Sequence, residues 1–472
     1  MSGLYSTLSS SVKALSAHSR AIETTGKNLA NVNNPSYARQ RVQYGDRGTI
    51  VTAFGAQSTG LEALAIQQLR DSLLDKQVMR EIALKSSFEA EQRALSRAQA
   101  GLGQTIDRTA LATASGSNSS TGGLAAALDD YFNAFQSFAS RPTDAGERQA
   151  LFQKAGILTD RFQQTDARLS QVQSDIDIEI GNDVSDVNRL LTTIADLNAQ
   201  IGRVEVANPG AAIDLRDQRQ ARLEDLAAKV PIEVRDATAG QIQVVLRDAS
   251  NSDVVLVDRA TVTGPVIFTG TGLTAGAPAT AVEIASGSIR GGLNARDGAV
   301  QTLRDNLNQL ARQFVISVNA AYNPSATVGE DFFNPVGLTA GTINIAAGVT
   351  ATNIRAGVGA AGDNSIALAV AGVANRRFTI AGGDVIDGTL SQFYSRSVSN
   401  LGQALASVDS RVEDQSNIAN LIKGQRDAIS GVSLDEEMAD LVRFQRAFQA
   451  SSRVFSIVDE LLDGVVNRLG VR

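Results

Sequence analysis

The chain contains no cysteine, no tryptophan and a single histidine, His18, in 472 residues. Without thiols there is no disulfide framework, no thiolate zinc site and no cysteine nucleophile. Such a chain suits the cytosol, or export that needs no oxidation. A Ser-His-Asp arrangement would have to be built on His18, yet a lone histidine at helical spacing reads as a packed or rim residue. Prolines number 8 and aromatics make up 5%, which predicts elongated helical packing rather than one thick aromatic core. Basic charge is also short: a net charge of −7 and a pI near 5.1 argue against nucleic acid or an anionic membrane as partner. No apolar run reaches the roughly 18 residues that span a bilayer, so membrane insertion is not expected. The first thirty residues lack a basic region, a continuous apolar core and a small-residue cleavage site, so no cleaved signal peptide is expected.

What the chain does have is a repeat. Leu434, Leu441, Phe448, Phe455, Leu462 and Leu469 stand at seven-residue steps, with Phe444, Val458 and Val465 in a second row. In a chain that is 43% hydrophobic, chance gives such a run in roughly 4% of cases over all registers, so it reads as an apolar seam on one long helix. Leu8, Leu15, Ile22 and Leu29 repeat the spacing near the other end. Asn31, Asn33, Asn34 and Pro35 end that helix near Val32. Gly431 closes the penultimate helix, and Ser433 with Glu436 fits a capping box opening the last one. Asp435, Glu436 and Glu437 then lie at the positive end of its dipole, as a helix start rather than a catalytic cluster. Isolated helices are marginal in water. Both stripes therefore need partners, in each other and in neighbouring subunits.

The predicted fold class is mainly α with an inserted β domain: long terminal coiled-coil helices, an elongated helical-bundle body and a small β-rich insertion. Residues 1–35 form an N-terminal coiled-coil helix that pairs with the C-terminal one. Residues 36–230 form the first part of the body, with strands or an extended linker over 41–65. Separate helices are expected around Leu151 to Leu169 and from Val184 to Val206. Alternating apolar residues and Gly-rich turns mark 231–286 as the insertion. The body resumes over 287–431, with a mixed Gly/Ala-rich segment at 324–388, and 432–472 is the C-terminal coiled-coil helix.

Gly357, Gly359 and Gly362 match a G-x-G-x-x-G fingerprint, with a strand expected at Ile343 to Ile345 and Asp384 near the distance of a ribose ligand. The chain before Leu390 has no room for the further βαβ units that a dinucleotide fold needs. The acidic run Asp175, Asp177, Glu179 and Asp183 fails as a calcium loop, because Gly181 is displaced from the turn position. No cofactor, metal site or catalytic residue is expected.

Several local sequences resemble the axial proteins of the bacterial flagellum, specifically the hook-associated protein 1 family. GKNLANVNNPSYARQ (Gly26 to Gln40) is similar to the family's Asn-rich element, with Ser36 in place of the usual Gly before Tyr37. LDDYFNAFQSFASRPTDAGERQA (Leu128 to Ala150), LNAQI (Leu197 to Ile201), DLRDQR (Asp214 to Arg219), GGLNARD (Gly291 to Asp297) and GDNSIAL (Gly362 to Leu368) are similar to internal pieces. The longest match is SGVSLDEEMADLVRFQRAFQASSRVFSIVDELLDGVVN, from Ser430 to Asn467. The end motifs alone would also suit hook, rod or filament-type axial proteins.

The resemblance implies a structural, non-enzymatic subunit of an extracellular junction between hook and filament. Its partners would be further copies of itself, hook protein, a second, flagellin-like junction protein, and a cytoplasmic export chaperone at the C-terminal helix. Assembly would run through Leu8, Leu15, Ile22, Leu29, Leu434, Leu441, Phe444, Phe448, Phe455, Val458, Leu462, Val465 and Leu469. A cytoplasmic coiled-coil scaffold is the competing reading, separated from the first by whether the chain is secreted.

Overall fold

The computed structural model describes residues 2–45, 48–52, 55–58, 60–102, 123–359 and 362–464. The helices are α1 (Ser2–Ala30), α2 (Ser72–Gly101), α3 (Leu124–Ser140), α4 (Ala145–Glu205), α5 (Ile213–Ala227), α6 (Ser288–Asn294), α7 (Gln301–Tyr322), α8 (Ser365–Gly372), α9 (Leu390–Ser430) and α10 (Leu434–Asp463). The strands are β1 (Gln40–Gly45), β2 (Thr49–Thr52), β3 (Gly55–Ser58), β4 (Glu62–Gln68), β5 (Glu233–Asp236), β6 (Ile242–Arg247), β7 (Asp253–Asp258), β8 (Thr261–Val262), β9 (Ile267–Phe268), β10 (Leu273–Ala275) and β11 (Thr280–Val282). The chain divides into two compact units: Met1–Leu84, Ser185–Ala285 and Gln415–Arg472 form the first, and Lys85–Val184 with Ser286–Asp414 the second. These units do not follow the segments 36–230 and 287–431, because α2, α4 and α9 each give one stretch to either unit.

In the first unit, β1 and β4 pair antiparallel from Gln40↔Gln68 to Gly45↔Glu62, with a bulge at Gln43/Tyr44. Further on, β5-β6-β7-β8 form a four-stranded antiparallel sheet and β11-β10-β9 a three-stranded one, linked by a bridge between Asp248 and Val282. The inner strand β6 buries Ile242, Val244, Val245 and Leu246, a β-branched run between two turns. Asn188 on α4 exchanges two hydrogen bonds of 2.8 Å with the backbone of Val266.

Helix α4 corrects one expectation, since its 61 residues run unbroken through the predicted gap before Val184. Its buried positions step by four and three along Leu151, Ala155, Leu158, Phe162, Thr165, Leu169 and Val172. The steps are then four, four and four through Ile176, Ile180 and Val184, before the alternation returns at Val187, Leu191 and Ile194. Two extra steps of four are two stutters, which shift the phase of a heptad pattern without ending the helix, and such a shift mimics a helix boundary in the sequence.

The second unit corrects another. Scarcity of aromatics does not disperse them: Tyr131, Phe132 and Phe135 of α3, Phe162 of α4, Phe314 and Tyr322 of α7, and Phe332 and Phe333 beyond it form one cluster, with ring centroids 4.9 to 6.1 Å apart. Most pairs meet edge to face, the arrangement the ring quadrupoles favour. In the GGLNARD piece, a Cβ on Gly291 would overlap the Ser87 carbonyl oxygen, so only glycine lets α6 approach α2 so closely. Arg296 bonds its neighbour Asp297 and ties the π-helical turn Ala295–Val300 to Asp177.

The Gly/Ala-rich segment has little regular structure. Ile345 makes only an isolated bridge to Phe333, in place of the expected strand. Side chains of α7 pin this segment instead. Asn319 gives and takes hydrogen bonds with Phe333, at 2.8 and 2.9 Å, and Gln313 accepts from the Val385 amide at 2.7 Å.

The Tyr131 hydroxyl is fully buried and makes no hydrogen bond among the described residues. Burial pushes that phenol well above its usual range. Tyr131→Phe is expected to leave the melting temperature unchanged or raised, since it removes an unsatisfied polar group. Phe314→Ala, emptying the centre of the same cluster, should cost about 3–5 kcal/mol in denaturant unfolding. Equal losses from both would mean the hydroxyl has a partner.

Candidate assembly site

The Asn-rich element folds into a polar clamp around the first turn of α10. Asn28, in the last turn of α1, is 1% exposed, and its amide uses every hydrogen-bonding position it has. Nδ2 donates to the Gln40 carbonyl at 2.9 Å and to Glu437 Oε2 at 3.0 Å. Oδ1 accepts from the Gln40 amide at 3.0 Å and the Tyr37 hydroxyl at 2.8 Å. The turn between is built locally: Asn31 Nδ2 donates to the Lys27 carbonyl at 2.9 Å, and the Ser36 amide donates to Asn34 Oδ1 at 3.2 Å. Ser36 needs no left-handed backbone, so its replacement of glycine costs the turn nothing; its carbonyl accepts from Arg70 at 3.0 Å.

Arg39 closes the clamp. Its amide donates to the Ser430 carbonyl at 2.8 Å and its carbonyl accepts from Leu69 at 2.9 Å, which fixes the backbone between α9 and β4. Its Nε donates to Glu437 Oε1 and Nη1 to Glu436 Oε2, both at 2.7 Å. Burial lowers the Arg39 guanidinium, and the two carboxylates more than reverse this and hold it above its ordinary value. Glu436 is therefore engaged with Arg39 rather than in a capping box, and Ser433 makes no side-chain cap, although it does stand at the N-cap position. A charged partner for the carboxylate outweighs a neutral backbone amide.

Behind the clamp stands DLRDQR. Asp214 Oδ1 accepts from Gln40 Nε2 at 3.1 Å, and Asp217 Oδ1 from Gln68 and Arg70. Burial pushes the Asp217 carboxyl up, more than Arg70 pulls it down. Burial likewise raises the Tyr37 phenol, with Asp217, Asp214 and Glu437 adding to it. The arginines of this piece turn the other way. Arg216 grips Glu205, while Arg219 donates to Asn198 Oδ1 and the Gly240 carbonyl at 2.8 Å each. Buried beside neutral acceptors, and near Arg216, the Arg219 guanidinium falls to about 10. Asn198, within LNAQI, donates onward to the carbonyls of Ile242 and Arg259. Two short pieces apart in sequence thus tie α4, α5 and the β sheet together.

Asn28 near the end of α1 meets Glu437 at the start of α10, so the two helices pair antiparallel. Of the expected assembly residues, Val458 and Leu462 are buried, and Leu441, Phe444 and Phe455 half-buried. Leu434 and Phe448 are exposed, and Val465 and Leu469 lie outside the described residues. Leu8, Leu15, Ile22 and Leu29 are all half-buried. The deepest positions of α1 are instead Ala17, Ala21, Thr24, Thr25 and Asn28, because α1 is covered both by α10 and by the β1–β4 pair, and small residues let both approach. Sequence reasoning missed Asn28, Tyr37, Arg39 and Glu437 as the fastening. The available signal was an amide, a phenol and a guanidinium within twelve residues of a helix end.

Arg39→Lys keeps the charge and loses the fork that reaches two carboxylates at once. Hydrogen exchange of the first turns of α10 should then accelerate at least tenfold, about 1.4 kcal/mol of local stability, with amides of the aromatic cluster unchanged. Unchanged exchange at α10 would show that a point charge suffices.

Two family models match the chain: the helical domain of flagellar hook-associated protein FlgK over residues 114–333, and the C-terminal region of flagellar basal body rod FlgEFG proteins over residues 423–469. Flagellar hook-associated protein 1 of Bacillus subtilis is 27% identical across 100% of this chain and 99% of its own length. Its namesake in Escherichia coli is 23% identical across 98% and 99%. The solved flagellar hook junction protein FlgK of Burkholderia pseudomallei overlaps 55% of this chain and 46% of its own, with a TM-score of 0.45 and 20% identity. From end to end, and in the clamp and the internal pieces, this chain is similar to flagellar hook-associated protein 1.

Proposed function

We propose that this chain is a structural subunit of the bacterial flagellum, joining hook to filament by helical self-assembly through its terminal helices, with no catalytic step. The observation that carries the reading is the surface of α10. Its seam toward α1 runs through Glu437, Leu441, Phe444, Phe455, Val458 and Leu462, yet apolar residues also stand outside that seam. Met438 and Val442 each follow a seam position by one residue, and Val454, Ile457 and Leu461 each precede one; all five are exposed, Ile457 at 58%. One residue turns a helix by about 100°, so the two groups lie on opposite flanks, one near each end of α10. Fully burying such a side chain is worth about 1.5–3 kcal/mol. Neighbouring copies are the natural cover.

The same reading gives the chain hook protein and a flagellin-like second junction protein as neighbours, an extracellular place on the flagellum, and export without a cleaved signal peptide. Before export, the uncovered flanks of α10 would be shielded by a cytoplasmic chaperone. A hook- or rod-type axial subunit is the second reading, favoured by the rod-protein match over 423–469.

In a strain deleted for the gene, hooks should be intact but bare, with unpolymerised flagellin in the medium. Filaments on those hooks would sink the junction role, and missing hooks would favour the second reading. Val442→Asp with Ile457→Asp alters exposed positions only, so the melting temperature of the purified chain should stay nearly constant while its incorporation into flagella is lost. Incorporation at the normal level would show that these flanks face solvent in the assembly.

A further inference from the structure

The last part of α9, from Gln415 to Ser430, belongs to the first unit and has two unlike sides. Gln415, Arg426 and Ser430 are buried, with Gln415 bonded to Glu81 and Arg426 to Glu224. On the far side Ile418, Leu421, Gly424, Gln425, Ala428 and Ile429 are all exposed, Leu421 at 66%. At about 100° per residue, these positions fall within an arc of about 140° over roughly three turns. None carries a charge; Lys423 and Asp427 lie outside the arc. The solvent face of a helix is ordinarily charged, whereas large aliphatic residues without charge make up the core of a protein contact. Gly424 is a second sign. Glycine inside a helix is costly against alanine, yet a Cβ on Gly424 would meet nothing within 4 Å among the described residues, and its backbone is not left-handed. With Ala428 one turn on, it leaves a hollow beside Leu421 where another surface can approach closely. The chain itself makes no use of that hollow.

A second copy is the cover that fits. Past the turn at Gly431, exposed aliphatic residues continue at steps of four through Leu434, Met438 and Val442, in the same unit. Met438 and Val442 form the α10 flank assigned above to neighbouring copies, and only a short turn separates Ile429 from Leu434, so a copy lying on that flank stands beside the end of α9. A face without charge also selects against a charged foreign partner, whose ions would be buried unpaired. In a polymer the subunit itself supplies an uncharged cover at every repeat. We infer that the charge-free face of α9, from Ile418 to Ile429, is a contact between copies of this chain, made by a body helix and separate from the terminal ones. The inference rests on the proposed assembly and adds a second surface to it.

A photo-reactive side chain tests the contact without assuming which surface of the second copy meets it. The full-length chain carrying p-benzoylphenylalanine in place of Gln425 is expressed instead of the native chain, and isolated flagella are irradiated. Denaturing gels should show a band at twice the chain mass, containing peptides of this chain alone, while the same probe in place of Lys423, outside the arc, should give little of it. A link from position 425 to a different protein would overturn the second copy as cover. A chain that is present in the flagellum but stays monomeric on the gel would overturn the contact and leave the junction role standing. Absence of even the native chain from flagella would overturn the junction role, and the contact with it. As a second arm, Leu421→Asp alters an exposed residue, so the melting temperature of the purified chain should hold while incorporation falls about tenfold. Gly424→Leu should hold or raise the melting temperature, because leucine is the better helix former, and still lower incorporation by filling the hollow. Normal incorporation of either variant would overturn the contact.

Discussion

The fold of the first unit depends on a buried amide satisfied on all sides. Asn28 and Glu437 are separated by 409 positions in sequence and bonded at 3.0 Å. Apolar seams pull two helices together but choose register weakly, because a heptad pattern slipped by one repeat still buries apolar residues. A slip here would strand an amide and a carboxylate away from water, and breaking such a buried pair costs about 3–5 kcal/mol. One arrangement of α1 against α10 is thereby selected. Through Gln40 the same amide starts β1, and through Tyr37 and Arg39 it gathers the turn, the end of α9 and the end of β4.

The two units are held by different physics. The aromatic cluster of the second unit is non-directional area with favourable ring geometry. The first unit is fastened by directional, charge-assisted bonds, as with Arg426, which is buried and bonded to Glu224 and the Pro35 carbonyl. Clusters of area tolerate volume-conserving exchange, while a network of matched donors does not. The strings GKNLANVNNPSYARQ, LNAQI and DLRDQR are spelled by that network of hydrogen bonds, whereas LDDYFNAFQSFASRPTDAGERQA carries Tyr131, Phe132 and Phe135 of the aromatic cluster.

This contrast also explains what was legible in the sequence. Helices with an apolar face, such as α1, α7 and α10, declare themselves through period, and the β region through alternation bounded by glycine turns. Helix α4 was split because its heptad phase shifts between Val172 and Val184. Residues 324–388 carry no period, since their order comes from Asn319 and Gln313 reaching out of α7 to the backbone of Phe333 and Val385. The glycine fingerprint is explained by one carboxylate. Asp363 accepts from the amides of Gly359 and Ser365, at 2.7 and 2.9 Å, and a Cβ on Gly357 would overlap it, so a side chain of the protein fills the place a phosphate would take. The clamp was illegible for a related reason: polar residues beside a helix end read as a turn, and nothing local shows that their partner lies at the other end of the chain.

The terminal helices cover each other along one face only. Helix α1 offers small residues at its deepest positions, Ala17, Ala21 and Thr24, which allow close approach but cover little of a wide apolar helix. Phe448, Ile457 and Leu461 consequently remain in water after pairing. Had the uncovered residues formed one stripe, two copies could have closed a symmetric dimer by meeting face to face. Instead, the flank near the start of α10 and the flank near its end lie on different sides of the seam, so covering one leaves the other open. Patches on different sides favour contacts that pass from copy to copy, so in the proposed assembly growth would stop only when a ring closes, or when a chain of another kind caps it.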